Sequence, residues 1–245
     1  MNPLARLAAA LIIALCLVSS IDPVSAGTAL VLELVLIPLL RIPWRTFWRR
    51  TWPVWLAAPL TAVTIALYGR TAGTVHVEFL FLRISDGSLD LALSTLLRVL
   101  AVALPAVVLF IGVDPTELAD ALAQRLRLPA RFVLGALAGV RLIGLAMDDW
   151  RSIALARRAR GVGDRGAIRR FFGQAFALLV LSIRRGSTLA TAMEARGFGA
   201  SPHRTWARES RWDGRDGLLL GVAAAIGVSA ITAAALSGVW RPILG

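Results

Sequence analysis

Long apolar segments separated by arginine-rich segments dominate this chain of 245 residues. A helix needs roughly 17–25 predominantly apolar residues to cross a hydrocarbon core of about 30 Å. The pattern therefore predicts an all-α protein that crosses the bilayer several times. Five segments meet the requirement and predict five transmembrane helices, near residues 4–20, 24–40, 52–69, 89–113 and 218–240.

The first apolar segment has a second interpretation. Arg6, the apolar residues 7–18 and the sequence Val24-Ser25-Ala26 together resemble a secretory signal with its cleavage site. A second apolar segment follows at once, however, and Ile21-Asp22-Pro23 is typical of a tight connector between two helices. We therefore expect a transmembrane helix here.

Composition supports a membrane protein and limits the class of its partners. Hydrophobic residues make up 57% of the chain, above the roughly 45–50% of soluble domains. The net charge of +12 comes from arginine alone, because the sequence contains no lysine. Aromatic residues do not alternate with the arginines as a nucleic-acid platform requires. We expect anionic lipid headgroups or a partner protein, and no nucleic acid, as the counter-charge.

The arginines also orient the chain, because basic residues concentrate on the cytoplasmic side of a membrane. Four arginines lie within residues 41–50, and a larger group lies within 125–215. These two links are an even number of crossings apart, so both are expected in the cytoplasm. The amino terminus is then inside and the carboxyl terminus outside.

The external segment 70–88 has no predicted role. Its residues 75–81 alternate partly between apolar and polar, which is typical of a hairpin or of a re-entrant piece. His76 and Glu78 lack a third metal ligand nearby, so the segment predicts no metal site.

The segment 114–216 is too long and too regular to be a simple loop. It divides the chain into helices 1–4 (1–113), a cytoplasmic section (114–216) and a last helix with its tail (217–245). A short amphipathic helix opens the section: Asp114 is a helix cap, Pro115 fits the first position, and the helix is expected to end before Pro129.

Two long amphipathic helices follow in this section and are expected to cross and pack against each other beneath the membrane. Charges such as Asp148, Asp149 and Arg185 make them poor membrane spans, because each such group costs several kcal/mol in hydrocarbon. Each helix carries an apolar face at spacings of three and four. The faces are Phe132, Ala136, Gly139, Ile143, Ala146, Trp150 and Ile153, continuing to Arg157 and Arg160, and Phe172, Phe176, Leu179, Ile183, Ala190 and Met193.

The two long helices end alike, in Ala159-Arg160-Gly161 and Ala195-Arg196-Gly197. Glycine stops a helix in a left-handed conformation and leaves the preceding arginine at an exposed end. There the guanidinium either enters a groove of a partner protein or simply complements the negative end of the helix dipole. The repetition of the pattern favours partner docking.

These ends resemble the paired Ala-Arg-Gly signatures of the transmembrane T component of energy-coupling factor transporters. That family includes the membrane permeases of cobalt, nickel and biotin uptake systems. The resemblance covers nearly the whole chain. It extends to Asn2-Pro3-Leu4-Ala5-Arg6-Leu7, where Arg6 stands in place of a frequent lysine, and to the stretch from Asp114-Pro115-Thr116-Glu117-Leu118 to Leu128-Pro129.

The resemblance implies a non-catalytic subunit of an ATP-driven importer in the cytoplasmic membrane of a prokaryote. Two ABC-type ATPase subunits, which hold the ATP and Mg²⁺, would bind the cytoplasmic helices, and a small membrane S component would capture a vitamin or a transition metal. Arg160 and Arg196 would each dock into one ATPase, supported by Arg157 and Glu194. Contact with the S component is expected at Gly135, Gly139 and Met193.

No catalytic or metal-binding motif accompanies these features. A phosphate-binding loop needs a lysine that the chain lacks, and His-Glu-x-x-His and paired cysteines are absent from the sequence. We expect no enzyme activity, no metal and no cofactor bound by this chain. Two alternatives remain open: a membrane enzyme acting on lipid or prenyl phosphates through Asp148-Asp149, and a basic scaffold that only grips anionic lipid.

Overall fold

A computed structural model describes residues 1–20, 22–40, 42–69, 74–79, 82–161, 166–199, 205–206 and 208–238. Within these ranges the chain forms eight α-helices, one 3₁₀ turn and two strands. They are α1 (Pro3–Val18), α2 (Pro23–Leu36), the 3₁₀ turn (Ile37–Leu40), α3 (Trp44–Tyr68), β1 (Val75–Phe79), β2 (Leu82–Ser85), α4 (Asp86–Phe110), α5 (Pro115–Gln124), α6 (Ala130–Ala159), α7 (Ala167–Ala195) and α8 (Gly214–Leu236).

The chain divides into two compact units. Met1–Val113 and Arg211–Gly245 form the bundle unit, and Asp114–Ser210 forms the arm unit. The bundle unit contains α1–α4 and α8, whereas the arm unit contains α5–α7. Residues 211–216, which the sequence division placed in the cytoplasmic section, belong to the bundle unit.

The bundle unit is held by an apolar core to which all five of its helices contribute. Small residues let the helices approach closely, as in other membrane bundles. The contact between α1 and α8 is the closest example, because a Cβ added to Gly227 would lie 2.5 Å from Sγ of Cys16. Fully buried alanines occur in every helix of the bundle: Ala5, Ala9, Ala26, Ala29, Ala58, Ala101, Ala230 and Ala234.

Polar contacts fasten one end of the bundle. The backbone N–H of Asn2 donates to Oδ1 of the buried Asp216 at 2.7 Å, which joins the start of α1 to the start of α8. The Asn2 side chain also accepts from the N–H of Leu4 and caps α1. Arg6 donates to the carbonyl oxygens of Leu109 and Ile111 at 3.4 and 3.3 Å, where α4 ends. Three helix ends therefore meet in one polar layer.

The prediction of an all-α protein that crosses the membrane several times is confirmed. Among the described residues, six helices are long and apolar enough to span a membrane: α2 with its 3₁₀ turn, α3, α4, α6, α7 and α8. The sequence predicted a different set of spans. It included α1, which has only 16 residues, and it left out α6 and α7. Residues 130–147 of α6 contain just two charges, Arg131 and Arg141, so this part of the helix is apolar enough to span a membrane.

The third helix begins earlier than its apolar run predicted. α3 starts at Trp44 instead of near residue 52 and includes the Arg- and Trp-rich turns that precede the span. Rings of Trp44, Phe47 and Trp48 pack on one another with centroids 5.6–5.8 Å apart, so aromatic contacts extend the helix beyond its apolar part.

The segment between α3 and α4 contains the predicted hairpin. β1 and β2 pair antiparallel, with Val75 opposite Ser85 and Phe79 opposite Leu82, and the register is irregular between Val75 and Val77. The hairpin interpretation is therefore confirmed over the re-entrant one. The side chains of His76 and Glu78 lie outside what the structure describes.

The arm unit has a small apolar cluster where α5 meets α6. Ala119, Ala123 and Val133 are buried there, with Leu122, Leu137 and Trp206 packed against them. Oδ1 of Asp114 caps α5 by accepting from the N–H of Thr116 at 2.7 Å, as the sequence predicted. This backbone hydrogen bond, first among several causes, holds the pKa of Asp114 below its ordinary value.

Candidate functional site

The carboxyl ends of α6 and α7 share one backbone geometry. Arg160 has φ −89° and ψ 7°, Arg196 has φ −88° and ψ 9°, and each is followed by a glycine with positive φ, 66° at Gly161 and 71° at Gly197. Such positive φ values favour glycine, because a Cβ clashes there with the backbone. The predicted left-handed terminators are confirmed at both helices.

Hydrogen bonds close the two ends in the same way. The N–H of Gly161 donates to the carbonyl of Arg158 at 3.0 Å, and the N–H of Gly197 donates to the carbonyl of Glu194 at 2.9 Å. At α7 the N–H of Phe198 adds a bond to the carbonyl of Met193 at 2.9 Å. This pair of bonds is the usual closure of a helix that ends in a left-handed glycine, and it fixes the direction in which the chain leaves α7.

Both Ala-Arg-Gly ends are exposed over all three residues. Within the described residues, neither the Arg160 nor the Arg196 guanidinium has a hydrogen-bond or ion-pair partner. Each therefore presents its five N–H donors to solvent, in the planar arrangement that matches a carboxylate or a row of carbonyl oxygens. Glu194 is also exposed, one turn before Gly197.

The two arginines lie at opposite ends of the paired helices. Arg157, in the last turn of α6, places its guanidinium over Gly173 of α7, where an added Cβ would be 2.8 Å from Nη2. Arg160 is therefore close to the beginning of α7. Arg196 follows Gly173 by 23 residues, which is about 35 Å at 1.5 Å per residue. A compact partner domain that binds one of these arginines therefore does not need to reach the other.

Polar and aromatic contacts join α6 to α7. Asp149 and Arg185 form a two-point ion pair, with Nη2 to Oδ1 at 3.0 Å. The rings of Trp150 and Phe171 pack with centroids 5.6 Å apart. A two-point ion pair sets the register of two long helices more strictly than apolar packing alone, and the ring contact adds a second fixed point.

The apolar face predicted for α7 does not pack on α6. Phe172, Phe176, Leu179 and Ile183 are 56–69% exposed, whereas Gln174 is the buried residue of this helix. The spacing of these residues correctly predicted an apolar face on α7, but the expectation that this face packs on α6 was wrong. Because Arg185 turns toward Asp149, the apolar face of α7 points away from α6.

The face predicted for α6 is correct only in its second half. Ala146, Trp150, Ile153 and Arg157 are partly buried, but Phe132 and Ile143 are 71% and 64% exposed. Val133 is buried instead, one residue along, because it packs with Ala119 and Ala123 of α5. The short helix therefore determines which side of α6 is covered near its start.

The residues predicted to contact an S component lie on accessible positions. Gly135 is exposed and Gly139 half-buried, and a Cβ added to either would meet nothing within 4 Å. Met193 is half-buried at the far end of α7. The two glycines leave open surface on α6, but the structure does not bring Met193 together with them through any described contact.

A basic cavity beside the end of α6 was not predicted from the sequence. It has a volume of about 600 Å³ and is lined by Arg157, Arg158 and Arg170 together with Trp150 and Phe172. Nε of Arg157 is buried there without a hydrogen-bond partner. Arginines at 157 and 158, followed by 169 and 170 across the turn, were the available signal.

The adjacent aspartates on α6 are each engaged by arginine. Asp148 lies 3.8 Å from Arg151 in an exposed pair, and Asp149 pairs with Arg185 on α7. No group of three or more His, Cys, Asp or Glu residues comes together among the described side chains. Asp149 therefore holds two helices together, and nothing favours the alternative of a phosphate-processing enzyme.

Comparisons with known proteins agree with these features. Residues 1–206 match the cobalt transport protein family, CbiQ. The energy-coupling factor transporter transmembrane protein EcfT of Limosilactobacillus fermentum is 27% identical over 79% of this chain and 76% of its own length. The protein of the same name from Streptococcus thermophilus is 28% identical over 93% of this chain and 90% of its own.

The matched region contains α1–α7 and both Ala-Arg-Gly ends, so the resemblance found in the sequence is confirmed. The chain belongs to the cobalt transport protein family CbiQ, as a transmembrane component of the energy-coupling factor type.

Proposed function

We propose that this chain transmits the motion of two ATPase subunits, docked at Arg160 and Arg196, to a substrate-binding S component. The observation that carries the proposal is the matched geometry of two exposed arginines at opposite ends of one helix pair. A chain with a single docking site would need only one such end. An arginine that only complements the dipole of its own helix gives no reason for the same exposed end to recur on the second helix.

Each arginine is presented by a rigid helix end. The capping bonds and the positive φ of the next glycine fix where the chain turns, so the guanidinium projects beyond the last turn. A partner groove with a carboxylate or several carbonyl oxygens accepts such a planar donor group with little loss of freedom. ATP and Mg²⁺ are then bound and ATP is hydrolysed on the partner subunits.

The helix pair is suited to carrying movement between its ends. Closure of two ATPases around bound nucleotide changes the distance between the two docked arginines, which lie at opposite ends of the helix pair. The ion pair of Asp149 and Arg185 lies between those ends and keeps α6 and α7 in register. A displacement at one end therefore reorients the pair instead of dissociating it.

The outward apolar face of α7 supplies the surface for the S component. Phe172, Phe176, Leu179 and Ile183 are exposed at spacings of three and four, and an exposed face of this size marks contact with another protein or with lipid. A small membrane protein that captures a vitamin or a transition metal fits this surface. The positive charge of the arm unit supports a position of its helix ends on the cytoplasmic side of a prokaryotic membrane.

Charge reversal at both arginines tests the docking roles. In cells expressing the full chain with its ATPase and S subunits, Arg160→Glu with Arg196→Glu is expected to abolish co-purification of the ATPases and substrate uptake. Membrane insertion is expected to be unchanged, because both side chains are exposed. Each single reversal is expected to retain the ATPase at the other end and to lose uptake.

A matched control carries the same change of charge at exposed arginines in the middle of the helices, Arg151→Glu with Arg184→Glu. This control is expected to keep ATPase binding. Unchanged ATPase binding in the Arg160 and Arg196 double variant contradicts the proposal, and so does equal loss in the control.

A further inference from the structure

The basic cavity between the end of α6 and the start of α7 collects positive charge. Arg157 and Arg158, in the last turn of α6, line it together with Arg170, in the first turn of α7. Neither the Arg157 nor the Arg158 guanidinium has a hydrogen-bond or ion-pair partner among the described residues, and no acidic side chain among them lines the cavity. Uncompensated cations around an open space favour an anion as its occupant.

Arg157 is held in place and still offers donors to a ligand. Its guanidinium lies over Gly173 of α7, where an added Cβ would be 2.8 Å from Nη2 and 3.2 Å from Nη1. Nε is buried, whereas Nη1 and Nη2 keep accessible surface and have no partner within the described part of the chain. The two terminal nitrogens are therefore the donors that can hold two oxygens of one phosphate group.

A buried amide adds a neutral donor to the same wall. Gln174, one turn after Arg170, is 6% exposed and lines the cavity. Its side chain has no hydrogen-bond partner among the described residues, although buried side-chain polar groups in native proteins mostly have one. Neither atom of the amide is cut off completely from solvent, so its NH₂ group can donate to a ligand in the cavity.

The remaining wall is largely apolar, which indicates what carries the anion. Ile168 and Phe171 line the cavity and are 75% and 55% exposed, and the ring of Trp150 packs on Phe171. A free phosphate or an acidic side chain would satisfy the arginines but leave these apolar groups uncovered. A phospholipid covers both. The volume of about 600 Å³ lies within the roughly 300–1,000 Å³ of small-molecule sites.

We propose that this cavity binds the headgroup of an anionic phospholipid. Arg157 and Arg158 hold its phosphate, Gln174 donates beside them, and an acyl chain lies on Ile168 and Phe171. A zwitterionic headgroup binds less well, because its own cation is repelled by the arginines. Arg160 does not line the cavity, so the proposal does not rest on ATPase docking, and lipid and ATPase can be bound together.

Photolabelling of the purified full chain in phosphatidylcholine nanodiscs tests the proposal. Phosphatidylglycerol and phosphatidylcholine probes with the same diazirine-bearing acyl chains are compared by mass spectrometry of the labelled peptides. Phosphatidylglycerol is expected to label the cavity lining with a half-saturation about tenfold or more below that of phosphatidylcholine, because each arginine near a membrane surface contributes about fivefold to anionic lipid binding. Equal labelling by the two probes overturns the proposal.

Two variants and a matched control assign the preference to the cavity. Arg157→Gln with Arg158→Gln is expected to remove it. Gln174→Glu keeps the shape of the side chain, places a carboxylate against the phosphate and is also expected to remove it. The control, Arg151→Gln with Arg184→Gln, removes two exposed arginines of the same helices that do not line the cavity and is expected to keep it. A preference that survives in both variants, or falls equally in the control, overturns the proposal.

Two additions separate a lipid from other sources of negative charge. Millimolar inorganic phosphate at constant ionic strength is expected to leave the labelling unchanged, and displacement of the probe would assign the arginines to a soluble phosphate. Added ATPase subunits are also expected to leave it unchanged, and its loss would assign Arg157 and Arg158 to protein docking. Either loss overturns the proposal. If the Arg160 and Arg196 double reversal still binds the ATPases while the labelling persists, the proposed function fails and the lipid site stands.

Discussion

The bundle unit and the arm unit use apolar residues in opposite ways. In the bundle, five helices enclose a core in which Leu104 and several alanines are completely buried. In the arm unit, α6 and α7 have 30 and 29 residues but only one buried residue each, Val133 and Gln174. The bundle buries a shared apolar core, whereas α6 and α7 leave most of their apolar residues exposed.

Polar residues show the complementary difference. The arm helices are joined by the pair of Asp149 and Arg185, so charge holds the pair together and apolar side chains face outward. A helix pair of this kind can exchange its neighbours without losing its own register. Most of the apolar burial that stabilises the chain therefore lies in the bundle, whereas α6 and α7 are joined by polar and aromatic contacts and keep an apolar face exposed.

A matched pair of leucine substitutions tests this difference most strongly. Leu104→Ala in the bundle is expected to lower the free energy of unfolding by about 2–5 kcal/mol, because it opens a cavity in a closed core. Leu179→Ala, at a position 56% exposed, is expected to change it by less than about 0.5 kcal/mol. Thermal unfolding of the purified chain in detergent measures both, and equal effects would break the comparison.

Glycine substitutions test whether the helix ends are rigid. Gly161→Ala and Gly197→Ala are each expected to cost about 1–2 kcal/mol, because both have positive φ. Redirecting the arginine is also expected to weaken ATPase binding severalfold. Calorimetric or fluorescence titration with the ATPase measures that affinity, and an unchanged value at both ends would argue against presentation by a fixed cap.

Gly186→Ala is the control for these two changes. It lies inside α7, and an added Cβ there meets nothing within 4 Å. Alanine in a helix interior is expected to stabilise by roughly 0.5–1 kcal/mol. Stabilisation here with destabilisation at Gly161 and Gly197 would sharpen the contrast between helix body and helix end.

Adjacent aspartates test the role of charge in the arm unit. Asp149→Ala removes the partner of Arg185 and is expected to cost about 1 kcal/mol, since the pair is only partly buried. Asp148→Ala breaks an exposed pair and is expected to have almost no effect. Spin-label distances between α6 and α7 should broaden only in the first variant.

The same two variants discriminate between functions. Uptake is expected to fall partially in Asp149→Ala and to persist in Asp148→Ala, because coupling needs the register of the helices and not a pair of metal-binding carboxylates. A complete loss of activity in both would favour a magnesium-dependent enzyme.

The smallest expected effect is a pH dependence at the start of α5. The pKa of Asp114 is lowered by the hydrogen bond from the N–H of Thr116. Its contribution to helix stability is therefore complete above the ordinary pKa of aspartate and is lost as pH falls through the lower pKa of the folded chain. Hydrogen exchange at the Thr116 amide should follow this change, and Asp114→Asn should abolish it while keeping the cap.

Local features of the fold were predictable from the sequence, whereas the partners of each face were not. The cap at Asp114 and the glycine ends at Gly161 and Gly197 depend on a few neighbouring residues, and the sequence predicted all three. The packed side of α6 depends on α5, so spacing alone favoured Phe132 over Val133. The face of α7 was predicted correctly, but the direction it takes is determined by Asp149 on another helix.

The basic cavity of the arm unit shows another limit of sequence reasoning. Arginines at 157 and 158 and at 169 and 170 were the visible signal. Spacing within α6 does not reveal the cavity, because Arg157 and Arg170 come to line it only after the chain turns between α6 and α7.

The close approach of α1 and α8 has a practical consequence. Cys16 is the only cysteine in the sequence, and its sulfur lies where any side chain at position 227 would have to be. Its rate of alkylation by a small maleimide therefore reports how far these two helices separate, in the unmutated protein. A rate that varied through the transport cycle would show that α1 and α8 move apart during the cycle. No engineered thiol is needed for this measurement.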